Sequence, residues 1–274
     1  MDVAIDNNVA SDWLDESLRA RTIAKFRTSG ARMVLPFEAL IEIAVNANRP
    51  KVRAQYAAVR EVLSTLGDDA AGVGLPFHLA LRRERFQTQY EVPTVTVSQL
   101  RNLFDGVAGN APLDDLAAYL GAAERFSIDK SMDGELLKSG INATWEGART
   151  TVPALLANIL APGAFGLEEY VKDPRWAARV QATPANYPVA VTVSAIVNVQ
   201  ASAAMLPMEA KGGFHGMLKI QRSDWVDIWS VSASGGAEIF VTNDGLLRDR
   251  IAYVCEHAPI VRIRAMSAED WLTT

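Results

Sequence analysis

Two aspartates stand where a short apolar run ends and a helical pattern begins. Asp6 follows Val3-Ala4-Ile5, and Asp244 closes the run Ile239-Phe240-Val241-Thr242-Asn243. Sites in open α/β sheets form outside the carboxyl ends of the strands, so two neighbouring strands would put both carboxylates in one crevice. Three more acids can point into it: Glu42, on the helical stretch after Arg32-Met33-Val34-Leu35, and Asp224 and Asp227, three apart on one face of the helix before the last long apolar run. Carboxylates gathered without cationic partners repel one another, and a divalent cation relieves that repulsion. The single cysteine, Cys255, and three scattered histidines, His78, His215 and His257, offer no zinc spacing. Oxygen-only ligation selects Mg2+ or Mn2+. Such an ion suits attack on a phosphodiester, because it acidifies the attacking water and stabilises the leaving oxygen.

The elements that must position these groups are legible at both ends of the chain. Val3-Ala4-Ile5 reads as a buried strand, residues 9–26 as a helix, Arg32-Met33-Val34-Leu35 as a second strand, and Pro36 as the opening of a helix with Leu40, Ile41, Ala44 and Val45 on its apolar face. Residues 51–66 form a further helix closed by Gly67. Near the other end come a helix over 224–232 broken by Gly235-Gly236, a strand over 238–241, a helix over 246–255 and a last strand over 260–263. Between them, from 68 to 208, helical texture dominates (113–126, 152–160 and 189–208), with Pro93-Thr94-Val95-Thr96-Val97 as the main strand-like run. Strands from both ends can pair in one parallel sheet, which makes residues 1–67 and 209–274 one discontinuous α/β domain and 68–208 a mainly helical insertion.

The motifs resemble those of the PIN-domain ribonucleases. Val-Ala-Ile-Asp6-Asn7-Asn8-Val is similar to their first-strand motif, an aspartate followed two positions later by asparagine. Val34-Leu35-Pro36-Phe-Glu-Ala-Leu-Ile-Glu42-Ile resembles the second, in which a strand and a proline lead to a helix bearing the metal-binding glutamate; this favours Glu42 over Glu38. Ser223-Asp224-Trp-Val-Asp227-Ile-Trp, followed by Ile-Phe-Val-Thr242-Asn-Asp244, resembles the helix that opens on aspartate and runs into a strand ending Thr-x-Asp. The likeness covers about residues 2–67 and 216–264 and leaves the middle of the chain uncovered. It implies a three-layer α/β/α domain with a mostly parallel sheet. It also implies an endoribonuclease with Asp6, Glu42, Asp224 and Asp244 as catalytic carboxylates, Asp227 as an alternative or additional ligand to Mg2+ or Mn2+, and Asn8 and Thr242 in support. The activity that follows is RNA phosphodiester hydrolysis, by the toxin of a toxin–antitoxin pair or by an RNA-processing relative. The partners it allows are RNA, an antitoxin-like protein and a second copy of the chain. The insertion would then be a lid, a dimerisation arm or an antitoxin-docking surface.

Charge is consistent with that substrate once sorted by segment. The chain carries 27 Lys+Arg against 32 Asp+Glu, a net charge of −5, yet residues 68–208 hold 11 bases and 15 acids while 1–67 and 209–264 hold 16 and 15. Without the four expected ligands the outer segments are modestly basic, and Arg222, Arg248, Arg250, Arg262 and Arg264 are candidates for phosphate contacts. Residues 188–208 are uncharged but interrupted by Thr192, Ser194, Asn198, Gln200 and Ser202, which favours a buried helix over a membrane span. The opening residues have neither a basic nor an apolar leader segment, so a cytoplasmic location without membrane attachment is the expectation.

Each residue also has a plainer role to set beside these. Asp-Asn-Asn is common turn chemistry, Asp224 suits a helix N-terminus behind Ser223, and Thr242 is either a β-branched strand residue or a hydroxyl that orients Asp244. Glu38, Asp12 and Asp249 read as solvated, Arg82-Arg83-Glu84-Arg85 as a solvated helix face, and Trp225 and Trp229 as core. A second enzymatic reading is a haloacid-dehalogenase-like Mg2+ phosphatase, whose nucleophilic aspartate needs a second aspartate two positions on as general acid. Asn8 occupies that position here. A third reading is a catalytically inactive PIN-like scaffold that binds protein or RNA.

Overall fold

Alternation of buried apolar residues builds a sheet sandwiched between two helical layers. The computed structural model describes residues 1–44, 48–86, 92, 94–100, 174–204, 224–258 and 260–274. The strands are β1 (Asp2–Ile5), β2 (Arg32–Leu35), β3 (Ala71–Gly74), β4 (Thr94–Val95), β5 (Ile239–Val241) and β6 (Arg264–Met266), in the order β4-β3-β2-β1-β5-β6. All neighbours run parallel except the edge pair β3 and β4. The helices are α1 (Asn7–Ser11), α2 (Glu16–Ser29), α3 (Phe37–Ala44), α4 (Arg49–Leu66), α5 (Phe77–Phe86), α6 (Pro174–Ala182), α7 (Pro188–Ala204), α8 (Asp224–Ala233), α9 (Gly245–His257) and α10 (Ala268–Thr273).

Successive strand residues face opposite layers. Val3, Ile5, Met33 and Val241 pack with Trp13, Phe26, Leu40, Tyr56 and Trp271 beneath α1 to α4 and α10. Ala4 and Phe240 pack with Phe77, Trp176, Val191, Trp229 and Ile251 beneath α5 to α9. Strands buried on both faces are the expected state of a parallel sheet, and they explain the near-continuous apolar runs. The α/β class and the pairing of strands from the two ends of the chain, β1 with β5, agree with the sequence reading.

Several boundaries differ from it. The helix expected over 9–26 is broken, because the Asp15 carboxylate accepts the N–H groups of Ser17 and Leu18 and starts α2 afresh after the short turn Asp12–Leu14. The last strand lies at Arg264–Met266, beyond 260–263; Val261 and Ile263 turn into the core instead, and α10 follows. Residues 71–74, read as part of the insertion, are the fully buried strand β3 beside β2. Gly72 lets the edge strand approach: a Cβ there would stand 2.7 Å from Thr94 Cβ. Helices α5 and α7 also pack against α8. The helices expected over 113–126 and 152–160 fall outside the described residues. Helix α7 covers 188–204 and is buried from Val189 to Ile196; among the described residues no helix is long and apolar enough to cross a membrane.

The turn from α8 into β5 depends on a glycine. A Cβ on Gly235 would meet Pro188 O at 2.6 Å and Thr192 Oγ1 at 2.9 Å, both on α7. Gly235→Ala should therefore destabilise the protein by about 1–3 kcal/mol, the range for forced overpacking. Urea denaturation measures it, and a loss below about 0.5 kcal/mol, the ordinary surface value, would show that α7 gives way.

Candidate active site at the carboxyl end of the sheet

Strand connections step from β1 outward through β2 to β3, whereas β5 lies on the other side of β1. The carboxyl ends of β1 and β5 therefore flank the reversal point of the sheet, where α/β proteins open a crevice. Asp6 leaves β1 there, its N–H bonded to Val241 O at 2.9 Å, and Thr242-Asn243-Asp244 leaves β5.

The Asp6 carboxylate is 5% exposed. Oδ1 accepts the Asn7 N–H at 2.8 Å, and Oδ2 accepts Asn8 Nδ2 and the Thr242 hydroxyl, both at 2.7 Å. Thr242 is fully buried, and its Oγ1 also accepts Asn8 Nδ2 at 2.9 Å and the Asp244 N–H at 3.1 Å. Its hydroxyl thus joins the two aspartate segments. Asn8 completes the ring by accepting the Asn243 N–H on Oδ1 at 2.9 Å. Burial holds the Asp6 carboxyl above its ordinary range, and the like charge of Asp244 pushes the same way. The bonds from Thr242, Asn7 and Asn8 oppose both.

Asp244 is exposed and caps α9 by accepting the Leu247 N–H at 3.0 Å. Capping accounts for that residue by itself. It does not account for Asp6, whose cap bond serves a five-residue helix with one oxygen, while burying a carboxylate with no cation costs several kcal/mol. Arg248 reaches back one turn, and its guanidinium donates to Thr242 O at 2.8 Å, which sets a positive charge beside the crevice.

Two supporting residues escaped the sequence reading. Asn243 donates through Nδ2 to Asp12 at 3.1 Å and accepts the Ala268 N–H at 3.1 Å, tying the end of β5 to the turn Asp12–Leu14 and to α10. Asp12, read as solvated, is exposed but engaged in this tie. Repeated Asn and Asp after a strand were the available signal.

The remaining expected site residues are placed differently. Asp224 opens α8, which feeds the amino end of β5, so the helix runs back from the carboxyl edge of the sheet and its first residue lies on the same side as Asp6 and Asp244; its side chain lies outside the described residues. Asp227, one turn on, lines a small cleft with Leu247, Arg250 and Ile251, which places it toward α9. Glu42 is half-buried on α3. Glu38, expected in solvent, is 1% exposed because it accepts the Phe77 N–H at 2.7 Å, and burial raises its carboxyl to about 7. Glu84 is likewise buried, against the expectation of a solvated face. Arg222 and His215 fall outside the described residues. Arg250 is 5% exposed and cannot serve as a surface phosphate contact. Arg264 pairs with Ile239 at the start of β5, so it and Arg262 lie at the opposite edge of the sheet. Trp229 is core, stacked on Phe77 with ring centroids 6.0 Å apart.

Two of the expected carboxylates, Asp6 and Asp244, are thus brought together. Among the described residues no three His, Cys, Asp or Glu side chains form a metal-holding group. The donor chemistry of the pair still fits a hard cation. Asp6 is desolvated, faces a like charge and has no ion pair among the described residues, and Asp244 keeps one oxygen outside its cap bond. Asn8 carries an amide with no ionisable proton, so it supplies no general acid for aspartyl-phosphate chemistry. The chain matches no protein-family model, no curated protein and no solved structure.

Proposed function

We propose that this chain is a divalent-metal-dependent endoribonuclease of the PIN type, with Asp6 and Asp244 as the carboxylates that meet the ion and Glu42 and Asp224 contributing from α3 and α8. The observation that carries the reading is the buried Asp6 carboxylate, bridged to the Asp244 segment through Thr242 and Asn8 at the reversal point of the sheet. Bound Mg2+ or Mn2+ would acidify a water for attack on the phosphodiester and stabilise the leaving oxygen. Thr242 and Asn8 fix Oδ2 of Asp6, and Oδ1, which accepts the Asn7 N–H, has a second lone pair with which it would meet the ion. Arg248 supplies the positive charge that a scissile phosphate seeks. Four ordered motifs in the sequence support RNA as the substrate, and the toxin of a toxin–antitoxin pair is the setting in which they are combined.

The test is cleavage of end-labelled RNA in Mn2+ or Mg2+, alongside calorimetric titration with Mn2+. Cleavage that survives EDTA would overturn the reading, and so would Mn2+ binding heats unchanged by Asp6→Asn. Arg248→Ala should raise KM for RNA about tenfold, equivalent to about 1.4 kcal/mol, with kcat within about threefold. Arg248→Lys should restore most of the affinity. An unchanged KM in the alanine variant would remove Arg248 from the substrate contacts.

A further inference from the structure

Asn243 is exposed, yet its amide and both polar atoms of its side chain are committed to other parts of the fold. It stands between Thr242, which bonds Asp6, and Asp244. Its N–H is held by Asn8 Oδ1 at 2.9 Å, its Nδ2 donates to Asp12 Oδ2 at 3.1 Å, and its Oδ1 accepts the Ala268 N–H at 3.1 Å. Exposed asparagine side chains ordinarily turn to water, so bonds to three separate segments need a cause. The position calls for one donor and one acceptor on different atoms of a short side chain, which the asparagine amide provides. Aspartate there would set a second carboxylate against that of Asp12, and alanine would release two of the three segments.

The acceptor role answers a need of α10. Ala268 is the first residue of that helix, where an N–H has no partner within the helix itself. Ser267 caps the helix by accepting the Asp270 N–H at 3.0 Å, and its hydroxyl donates to the Asp270 carboxylate at 2.6 Å. The Ala268 N–H is left to Asn243. Just upstream, Met266 O accepts the Thr242 N–H at 2.9 Å. Residues 266 and 268 thus hold Thr242 and Asn243 side by side.

Farther along, α10 is fixed to the body of the domain. Trp271 is 4% exposed, its ring centroid is 5.6 Å from that of Phe26 on α2, and Lys25 Nζ lies over it at 5.1 Å. The exposed pair Arg21–Glu269, at 3.0 Å, adds little beside the buried indole. A helix of six residues does not hold itself together in water. Docking of Trp271 therefore sets where α10 forms, and the docked helix presents its first amide to Asn243.

We infer that α10 is a brace for the candidate site and that Asn243 is the positioning residue through which it holds Asp244. Few bonds orient Asp244 itself: its N–H donates to Thr242 Oγ1 at 3.1 Å, and its Oδ1 accepts the Leu247 N–H at 3.0 Å. Holding the preceding residue from α1, from the turn Asp12–Leu14 and from α10 restricts the backbone that aims the Asp244 carboxylate toward Asp6. With the brace released, that carboxylate occupies the ligating position for only part of the time, and the apparent affinity for an ion falls by the same fraction. The consequence for an ion rests on the proposed function; the ordering of Asp244 by α10 does not.

A double-mutant cycle on the full chain tests the brace, because groups that act through one another lose additivity. Ser267→Ala removes the cap of α10 without touching Asp6, Thr242 or Asp244. Exchange of the Leu247 amide, whose N–H the Asp244 carboxylate accepts, is read by NMR without metal. Its protection should fall at least about threefold in Ser267→Ala and in Asn243→Ala, and adding Ser267→Ala to Asn243→Ala should change it less than about 1.5-fold. The apparent Kd for Mn2+ from calorimetry should rise about threefold to tenfold in each single variant and no further in the double. A purely structural α10 lowers the urea midpoint and leaves both readouts in place. Trp271→Ala, which removes the dock, decides the matter if Ser267→Ala leaves the Ala268 amide as protected as in the wild type. Leu247 protection within about 1.5-fold of wild type once Ala268 is released, or losses that multiply in the double variant, would overturn the brace. A wild type that gives no Mn2+ binding heat overturns the hydrolase reading alone, since amide exchange still decides whether α10 orders Asp244.

Discussion

Asp6→Asn yields a folded protein that cleaves RNA at least about 1,000-fold more slowly than the wild type, the scale of losing a principal charge-stabilising group. The substitution is nearly isosteric, so the Asn7 N–H keeps its acceptor if the remaining side-chain oxygen stays in the Oδ1 place. The new amide nitrogen then faces Asn8 Nδ2, a donor opposed to a donor, in place of the 2.7 Å bond. Against that conflict stands the removal of a buried charge whose carboxyl is held above its ordinary range by burial and by Asp244. The two effects oppose, and the net change in stability should stay within about 2 kcal/mol. The balance moves with pH in a defined direction. The folded-state carboxyl titrates above the unfolded one, so wild-type stability falls as pH rises past the ordinary aspartate value, whereas the asparagine variant has no such loss. Urea denaturation at pH 4.5 and pH 8 should show the variant gaining on the wild type at the higher pH. Mn2+ should raise the melting temperature of the wild type and not of the variant, since a ligand stabilises only the state that binds it. A variant that cleaves within tenfold of wild type would remove Asp6 from the catalytic set.

The pairing of Asp6 with the Thr242-Asn243-Asp244 segment was legible because it depends on the two strongest local signals in the chain. Each strand is a tight apolar run, and each ends on a residue that cannot continue it. Strand β3 was not legible for the opposite reason. Ala71-Gly72-Val73-Gly74 has little intrinsic strand preference, and its place in the sheet is set by burial on both sides and by the approach of Thr94 to Gly72, neither visible along the sequence. The same is true of Glu38 and Glu84. Read one at a time on a helix, a glutamate is a solvated charge by default. Their burial comes from helix starts remote in the sequence: residue 77 lacks a local cap for Glu38 to replace, and residue 189 lacks one for Glu84. The role of Thr242 was half legible. Its hydroxyl does meet the Asp244 backbone, as one of the two sequence readings had it, but its shorter bond goes to Asp6, and only the adjacency of β1 and β5 brings the two together.

That bond makes Thr242→Val the most informative change to the site after Asp6 itself. Valine matches threonine in shape and leaves the buried position packed, so the variant isolates the hydroxyl. Three groups lose their partner at once: Asp6 Oδ2 loses a donor, and Asn8 Nδ2 and the Asp244 N–H lose an acceptor. In a fully buried setting this should destabilise the fold by about 1–3 kcal/mol. The kinetic consequence has a sign. The Thr242 hydrogen bond is the largest influence that lowers the Asp6 carboxyl against its burial, so its removal raises that carboxyl further. More of the enzyme is then protonated at Asp6 at any given pH, and the acid limb of the kcat/KM profile should move to higher pH, with the plateau lowered about 10-fold to 100-fold. Thr242→Ser keeps the hydroxyl and should return the acid limb to its wild-type position, even if the lost methyl lowers stability. A purely structural role predicts something else: valine and serine would both lower the plateau through instability and neither would move the limb. Profiles of the three proteins superimposable after scaling would therefore separate Thr242 from the titration of Asp6 and leave it a packing residue at the end of β5.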